Sequence, residues 1–174
     1  MIPPSEFRAT QTQMGFGGRF IYNLSPNFAL ETQGDFFPRD TGLFNNARAG
    51  GRVLQGQAGI KTGKRFKRLG IFAKGRPGVV SFSKTASFEG FENSQGFPLP
   101  ILRLKRRTYF SFDLGGVLEF YPSQRLVTRF DAGDTMIRYG RQELPFGLGP
   151  SGLTVTPPET FHNFQFSAGV GFRF

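Results

Sequence analysis

Residues 161–174, FHNFQFSAGVGFRF, form the end of the chain and carry its clearest pattern. Counted backwards from the end, every second residue is apolar: Phe174, Phe172, Val170, Ala168, Phe166 and Phe164. The positions between them hold Arg173, Gly171, Gly169, Ser167, Gln165 and Asn163. Side chains of a β-strand point alternately to two faces, so this stretch predicts a strand with one apolar face and one polar or small face. What the apolar face contacts is therefore the question that decides the fold.

Six further segments of the chain repeat this alternation. They are MGFGGRFIY (14–22), NFALETQGDFF (27–37), RVLQGQAGIK (52–61), LGIFAKGRPGVV (69–80), YFSFDLGGVLEFY (109–121) and RLVTRFDAGD (125–134). No segment of comparable length has the 3.6-residue period of a helix. The sequence thus predicts an all-β chain of seven strands, and 174 residues are enough for a single domain spanning 1–174.

The connections between these strands alternate strictly between short and long. Residues 23–26, 63–67 and 122–125 are tight turns, whereas residues 38–49, 84–105 and 139–159 are long, polar and rich in Gly, Pro, Asn and Ser. Short turns at one end and long loops at the other are typical of outer-membrane β-barrels. A soluble β-sandwich has no reason to keep that asymmetry, so the pattern predicts an antiparallel up-and-down transmembrane barrel.

Charge placement separates the two faces of the predicted strands. The face opposite the apolar one collects six cations and five anions, namely Arg19, Lys61, Lys74, Arg76, Arg129 and Arg173 with Glu31, Asp35, Asp113, Glu119 and Asp131. The apolar face of the same segments is predicted to carry no charge, which suits hydrocarbon, where a cation near the midplane costs about 2 to 4 kcal/mol. A lipocalin-like soluble barrel would have the opposite polarity. We therefore expect the apolar face to contact lipid and the charged face to form an interior network.

The excess of basic residues lies outside this predicted interior. Removing its six cations and five anions from 22 basic and 12 acidic residues leaves 16 basic and 7 acidic residues in turns and loops. The clusters are KTGKRFKR (61–68) and RLKRRTY (103–109), at opposite barrel ends. No recognition helix or nucleic-acid motif accompanies them, so nucleic acid is not an expected partner. A solvated rim and attraction of the outer cluster to lipopolysaccharide or headgroup phosphates both remain open.

The sequence offers little material for catalysis or for a cofactor. Its one histidine, His162, lies at the outer end of the last strand, and a nucleophile with a base in reach is not evident. A lone histidine at a strand end is typically an interfacial residue. The absence of cysteine excludes disulfides and thiolate zinc sites, and no glycine-rich phosphate motif or metal-ligand spacing is present. We therefore predict no catalytic residue, no metal and no cofactor.

Three features of the sequence resemble the small OmpA-like outer-membrane β-barrels. The segments GFGGRFIYNLSPNFALETQGDFFPRD (15–40) and RLVTRFDAGD (125–134) are similar to their strand-turn-strand units. The final strand resembles the assembly signal that the barrel-assembly machinery recognises, which implies that role for Phe164, Phe166, Val170, Phe172 and Phe174. The resemblance covers residues 11–174. Tyr22 and Tyr121, at strand ends beside short turns, are predicted to join an aromatic belt at the periplasmic interface.

The resemblance implies an eight-stranded barrel in the bacterial outer membrane, monomeric when complete, with a structural, adhesive or envelope-tethering role. At eight strands, side chains just fill the interior, so an open diffusion pore is not expected.

Seven strands leave one missing, and strand parity makes the first recognised strand run towards the periplasm. We therefore expect an upstream strand and a signal peptide that this chain lacks, with residues 1–10 as the tail of the first outer loop. Two simpler alternatives are a poor edge strand over residues 5–12 and imperfect closure by seven strands. The alternative functions are a soluble lipocalin-like ligand carrier and a lipid-modifying outer-membrane enzyme.

Overall fold

The computed structural model describes residues 12–41, 50–94, 97–144 and 154–173, and every regular element in those ranges is a β-strand. The strands are β1 (Phe16–Ser25), β2 (Phe28–Thr41), β3 (Gly50–Arg65), β4 (Leu69–Ser94), β5 (Phe97–Phe120), β6 (Leu126–Tyr139), β7 (Gln142–Leu144), β8 (Thr154–Thr156) and β9 (Glu159–Phe172). The predictions that fall outside the described ranges concern the 1–10 tail, most of the alternative edge strand over residues 5–12, parts of the three long loops, and Phe174. In the described ranges no helix is long and apolar enough to cross a membrane.

Seven of the strands form one sheet in sequence order, β1-β2-β3-β4-β5-β6-β9, and every neighbouring pair is antiparallel. The prediction of an all-β, up-and-down antiparallel sheet of seven strands is therefore confirmed. The two remaining strands, β7 and β8, pair with each other in a separate ribbon inside the predicted 139–159 loop.

Three short connections lie at the same end of the sheet, which we call the turn end. They join β1 to β2 at residues 26–27, β3 to β4 at residues 66–68, and β5 to β6 at residues 121–125. Backbone hydrogen bonds hold this end of the sheet together. Tyr121 N donates to Arg68 O at 3.0 Å, which joins two connections, and Gly63 N of β3 donates to Asn27 O of the first connection at 2.9 Å. The opposite end is the loop end.

The long connection predicted over residues 84–105 is mostly strand, which corrects the sequence-based boundary. The β4–β5 ladder runs from Leu69↔Phe120 to Ser94↔Phe97, with two register shifts. One of these shifts lies at Gly90, whose φ of 146° is a conformation that residues with a Cβ rarely adopt. The hairpin therefore continues well beyond the alternating part of both strands.

Contacts between distant strands show that the sheet curls around a shared interior. Arg19 Nη1 of β1 lies 2.9 Å from Asp131 Oδ2 of β6, although these strands are five places apart in the sheet. In a flat sheet that separation would be about 24 Å. Gln55 of β3 and Gln165 of β9 are also hydrogen-bonded, at 3.3 Å. Among the described residues, β1 pairs only with β2, and β9 only with β6, so two sheet edges lack a ladder partner.

Candidate functional site

The outer face of the curled sheet presents large apolar side chains to its surroundings. Phe166 on β9 is 83% exposed and Phe110 on β5 is 57% exposed, whereas the inward-pointing Ser111 and Asp113 are fully buried. The other exposed apolar side chains on this face include Phe16, Phe20, Leu30, Leu54, Ile60, Ile71, Val79, Leu114, Phe130, Phe164, Val170 and Phe172. Water-soluble folds rarely bury charges fully or expose contiguous apolar surface. The polarity of this sheet is therefore inverted.

Glu31 of β2 lies at the centre of the buried charges. Arg129 of β6 donates to both of its carboxylate oxygens, from Nη1 to Oε2 at 2.6 Å and from Nη2 to Oε1 at 2.9 Å. Arg76 of β4 donates to Oε1 at 2.5 Å, and Arg19 Nε lies 3.5 Å from the same oxygen. Two of these arginines thus hydrogen-bond one carboxylate, and Arg129 does so in the paired geometry that makes guanidinium–carboxylate contacts strong.

Two aspartates extend the network across β4, β5 and β6. Arg76 donates from Nε and Nη2 to Asp113 Oδ2, at 2.9 and 2.6 Å, and Lys74 Nζ lies 2.9 Å from the same oxygen. Lys74 also contacts Asp131, which accepts from Arg129 Nε at 2.7 Å. Gly133 makes room for this arrangement, since a Cβ there would lie 3.0 Å from Asp113 Oδ1 and 3.2 Å from Lys74 Cε.

Glu119 closes the network towards the turn end. Its carboxylate contacts Lys61 Nζ and accepts a hydrogen bond from Tyr121 OH at 2.7 Å. The Tyr121 hydroxyl in turn accepts from Arg65 Nε at 2.9 Å. Burial, together with the hydrogen bond to Glu119, raises the pKa of Tyr121 to about 12, so this phenol stays protonated and keeps donating at neutral pH.

The structure brings together ten of the eleven residues predicted for the interior network. Five cations and five carboxylates face one interior, and Asp35 joins through Gln33, whose Nε2 donates to Asp35 Oδ2 at 2.7 Å. Arg173 is the exception. It follows the end of β9, is exposed, and lies at the turn end instead of the interior. The interior set without Arg173 is therefore electrically balanced, which reduces the cost of burying it.

Sequence reasoning missed a second part of the interior, an apolar plug at the loop end. Its buried members are Val53, Val80, Tyr109, Ile137 and Tyr139, with Phe37, Phe82 and Phe161 packed against them. The rings of Tyr109 and Tyr139 are 4.7 Å apart between centroids, and those of Tyr139 and Phe161 are 5.2 Å apart. The signal was present, because these residues continue the inward positions of the same strands beyond the last charge.

The residues of the predicted assembly signal and of the predicted aromatic belt have different surroundings. Phe164, Phe166, Val170 and Phe172 all lie exposed on the outer face of β9, and Tyr22 is exposed at the turn end of β1. Tyr121 departs from its predicted place in an outer belt, because its hydroxyl is bonded to Glu119 and Arg65 instead. It has the same strand parity as Glu119, so the alternation itself would have placed it inside.

One acidic residue lies on the outer face, where none was predicted. Asp134 of β6 has the same parity as Phe130 and Ala132, and its Oδ2 lies 2.5 Å from Nδ1 of His162. Asn163 N also donates to Asp134 Oδ1, at 3.1 Å. His162 is thus engaged by Asp134. Ser167 lies five residues further along β9, about 17 Å away, which is too far for His162 to act as its base. Among the described residues no group of three or more potential metal ligands is found.

The outer basic cluster lies on strand β5, in the part of the hairpin beyond the alternating segment. Arg103 Nε is 3.0 Å from Glu89 Oε2, and Lys105 contacts the other oxygen of the same carboxylate. The hydrogen bond from Lys105, helped by the charge of Arg103, holds the pKa of Glu89 below its usual range. Arg106 is exposed beside this group, so the cluster keeps a net positive charge.

Comparisons of this chain with protein-family models, with curated proteins and with solved structures found no match.

Proposed function

We propose that the chain is an outer-membrane β-barrel protein of the OmpA-like kind, with a structural or surface-binding role and no catalytic activity. The observation that carries this proposal is the inverted polarity of the curled sheet. Ten charged side chains occupy its interior, while phenylalanine and aliphatic side chains cover its outside. Hydrocarbon is the medium that suits such an outside, because it accommodates apolar side chains and cannot hydrate charged ones.

The height of the apolar band supports a bilayer as its surroundings. On β5 the outward apolar positions run from Phe110 to Phe120, ten residue steps of about 3.3 Å. A strand segment of that length, tilted by about 45°, rises about 23 Å, close to the apolar band of about 25 Å in known transmembrane barrels. Asp134 of β6 also lies on the outer face, but both of its carboxylate oxygens have polar partners, His162 and the Asn163 amide.

The interior supports a structural role more than a transport role. The charge network fills the turn-end half, and the apolar plug of Val53, Val80, Tyr109, Ile137 and Tyr139 fills the loop-end half. An interior packed in this way suits a structural role better than a diffusion pore, which needs a continuous aqueous path. A lipocalin-like carrier would need an apolar cavity inside and charges outside, which is the reverse of this arrangement.

We infer that the sheet closes into a barrel in the membrane. The edges of β1 and β9 run in the same direction, because seven antiparallel strands separate them by an even number of reversals. One further strand, antiparallel to both edges, would therefore close the sheet without any parallel pair. Unpaired backbone groups facing hydrocarbon cost several kcal/mol each, which favours closure of this kind.

The proposed partners follow from the surfaces. Outer-membrane lipids would contact the apolar band, and the barrel-assembly machinery would recognise the final strand with Phe164, Phe166, Val170 and Phe172. Exposed Arg103, Lys105 and Arg106 on the long hairpin provide positive charge for lipopolysaccharide phosphates.

Membrane partition and folding into lipid test this proposal directly. We expect the protein to stay in the membrane fraction through high-salt and alkaline washes and to require detergent for extraction. After refolding into vesicles, an unboiled sample should migrate differently from a boiled one on a gel, because a closed barrel resists the detergent until heated. A protein that remains in solution, monomeric and folded, without any detergent would refute the membrane assignment.

A further inference from the structure

A cavity at the turn end contains positive charge of which the interior network uses only the part on Arg65. Its volume is about 490 Å³, within the range of small-molecule sites, and its wall includes Arg65, Lys67, Arg68, Ser123, Gln124 and Arg173. Among the residues that the structure describes, the wall carries four cations and no carboxylate. These residues come from the β3–β4 connection, the β5–β6 connection and the residue that follows β9.

Backbone hydrogen bonds hold the three segments of this cavity together. Tyr121 N donates to Arg68 O at 3.0 Å, which joins the two connections, and Arg173 N donates to Arg125 O at 2.8 Å, which attaches the end of β9. Phe66 N donates to Leu69 O at 2.6 Å, which tightens the β3–β4 turn. The cations are therefore presented by a defined turn framework.

The four cations differ in how they are engaged. Arg65 is partly committed, because it donates to Tyr121 OH at 2.9 Å and to Asn23 Oδ1 at 3.1 Å. Lys67, Arg68 and Arg173 are exposed and have no ion-pair partner within the part of the chain that the structure describes. Three neighbouring cations without counter-charges repel one another, and an anion between them would relieve that repulsion.

Ser123 adds a neutral donor to the same wall. Its Oγ accepts hydrogen bonds from Arg125 N at 3.3 Å and from Leu126 N at 3.1 Å. With its oxygen used as an acceptor for the turn, the hydroxyl hydrogen remains available to a ligand. Guanidinium, ammonium, hydroxyl and the Gln124 amide together match the several oxygens of a phosphate better than the two of a carboxylate.

We propose that this turn-end cavity binds a phosphate group, with Lys67, Arg68 and Arg173 supplying the charge and Ser123 a hydrogen bond. The phosphate belongs either to an anionic lipid headgroup or to a soluble phosphate compound. The exposed Phe66 lines the cavity, and the exposed Phe172 precedes Arg173 in the sequence, so that a lipid with its acyl chains on the outer face could reach the site. The site stands on its own geometry and does not require the membrane assignment.

The test compares two double variants with the same loss of charge. Arg68→Gln with Arg173→Gln removes two cations from the cavity, and Arg138→Gln with Arg141→Gln removes two exposed cations from the loop end. Pyrophosphate binding is measured by titration calorimetry on the folded protein, in neutral detergent or, if none is needed, in buffer. Binding to phosphatidic acid is measured in otherwise neutral nanodiscs, and unchanged circular dichroism verifies folding of each variant.

We expect the cavity variant to lose about tenfold in affinity for at least one probe, and the loop-end variant less than about twofold. Loss for both probes assigns the site to phosphate in general, loss for phosphatidic acid alone assigns it to a lipid headgroup, and loss for pyrophosphate alone to a soluble compound. Equal losses in the two variants would mean that only overall charge matters, and would overturn the proposal. Absence of binding by the unmodified protein to either probe would overturn it too.

Discussion

Replacing Arg129 with leucine is expected to lower the free energy of unfolding by about 3 to 5 kcal/mol. Arg129 is buried and contacts three carboxylates, those of Glu31, Asp131 and Glu119. Leucine fills part of the volume but leaves the interior with one uncompensated negative charge. Loss of one partner from a buried ion network is costly, because the remaining charge has no water to solvate it.

Three further variants, one of them Glu31→Gln alone, show whether the effect comes from the network. Arg103→Leu makes the same change on the exposed hairpin, where an ion pair contributes at most about 1 kcal/mol. Adding Glu31→Gln to Arg129→Leu restores the charge balance, so the double variant should be less destabilised than the sum of the two single changes. Urea unfolding in lipid vesicles gives all four free energies. A loss below about 0.5 kcal/mol for Arg129→Leu would place that side chain outside the interior.

The second large effect is expected on the outer face. Ile60 is the last apolar residue of the outer face of β3 before Thr62, is 43% exposed, and its cross-strand neighbours are Leu30 and Gly75. Ile60→Arg should cost about 1 to 3 kcal/mol in a bilayer, because the guanidinium would lie in hydrocarbon between the midplane and the interface. In water the same change at a partly exposed site would be within about 0.5 kcal/mol of neutral.

A second isoleucine outside the apolar band shows whether the cost depends on depth in the bilayer. Ile101 on the extended part of β5 is 36% exposed, and it lies nine residues beyond Phe110. Ile101→Arg is therefore expected to change stability by less than about 1 kcal/mol in the same vesicles. Equal, small effects at both positions would mean that both face water, and would argue against a lipid-facing sheet.

Alternation predicted the strands wherever the two faces of the sheet meet different surroundings. Along β5 the residues from Phe110 to Phe120 alternate cleanly, because one side faces the charged interior and the other faces outward. The pattern vanishes over residues 84–105, yet the β4–β5 ladder continues there. Beyond the interior both faces of a hairpin meet the same medium, so nothing selects for alternation even though the hydrogen bonds persist.

The site was predictable to the extent that parity determines the direction of a side chain. Parity placed Arg129 and Glu31 inside, but it says nothing of where the interior ends. Arg173 has the inward parity of β9, yet it lies one residue past the last ladder pair, Leu126↔Phe172, and so contributes to the turn-end cavity. That cavity depends on three segments distant in sequence, and no local pattern reports such a meeting.

Quenching of single fluorescent labels tests most directly whether the outer face contacts lipid. The chain has no cysteine, so one introduced cysteine gives one label. Gly56→Cys and Ala58→Cys place labels on the outer face of β3, where a Cβ at residue 56 meets no atom within 4 Å. Ile101→Cys serves as the control beyond the apolar band. In vesicles, labels at 56 and 58 should be quenched by lipids with brominated acyl chains and shielded from iodide, with the reverse at 101. Strong iodide quenching at 56 and 58 without quenching by brominated lipid would contradict the account.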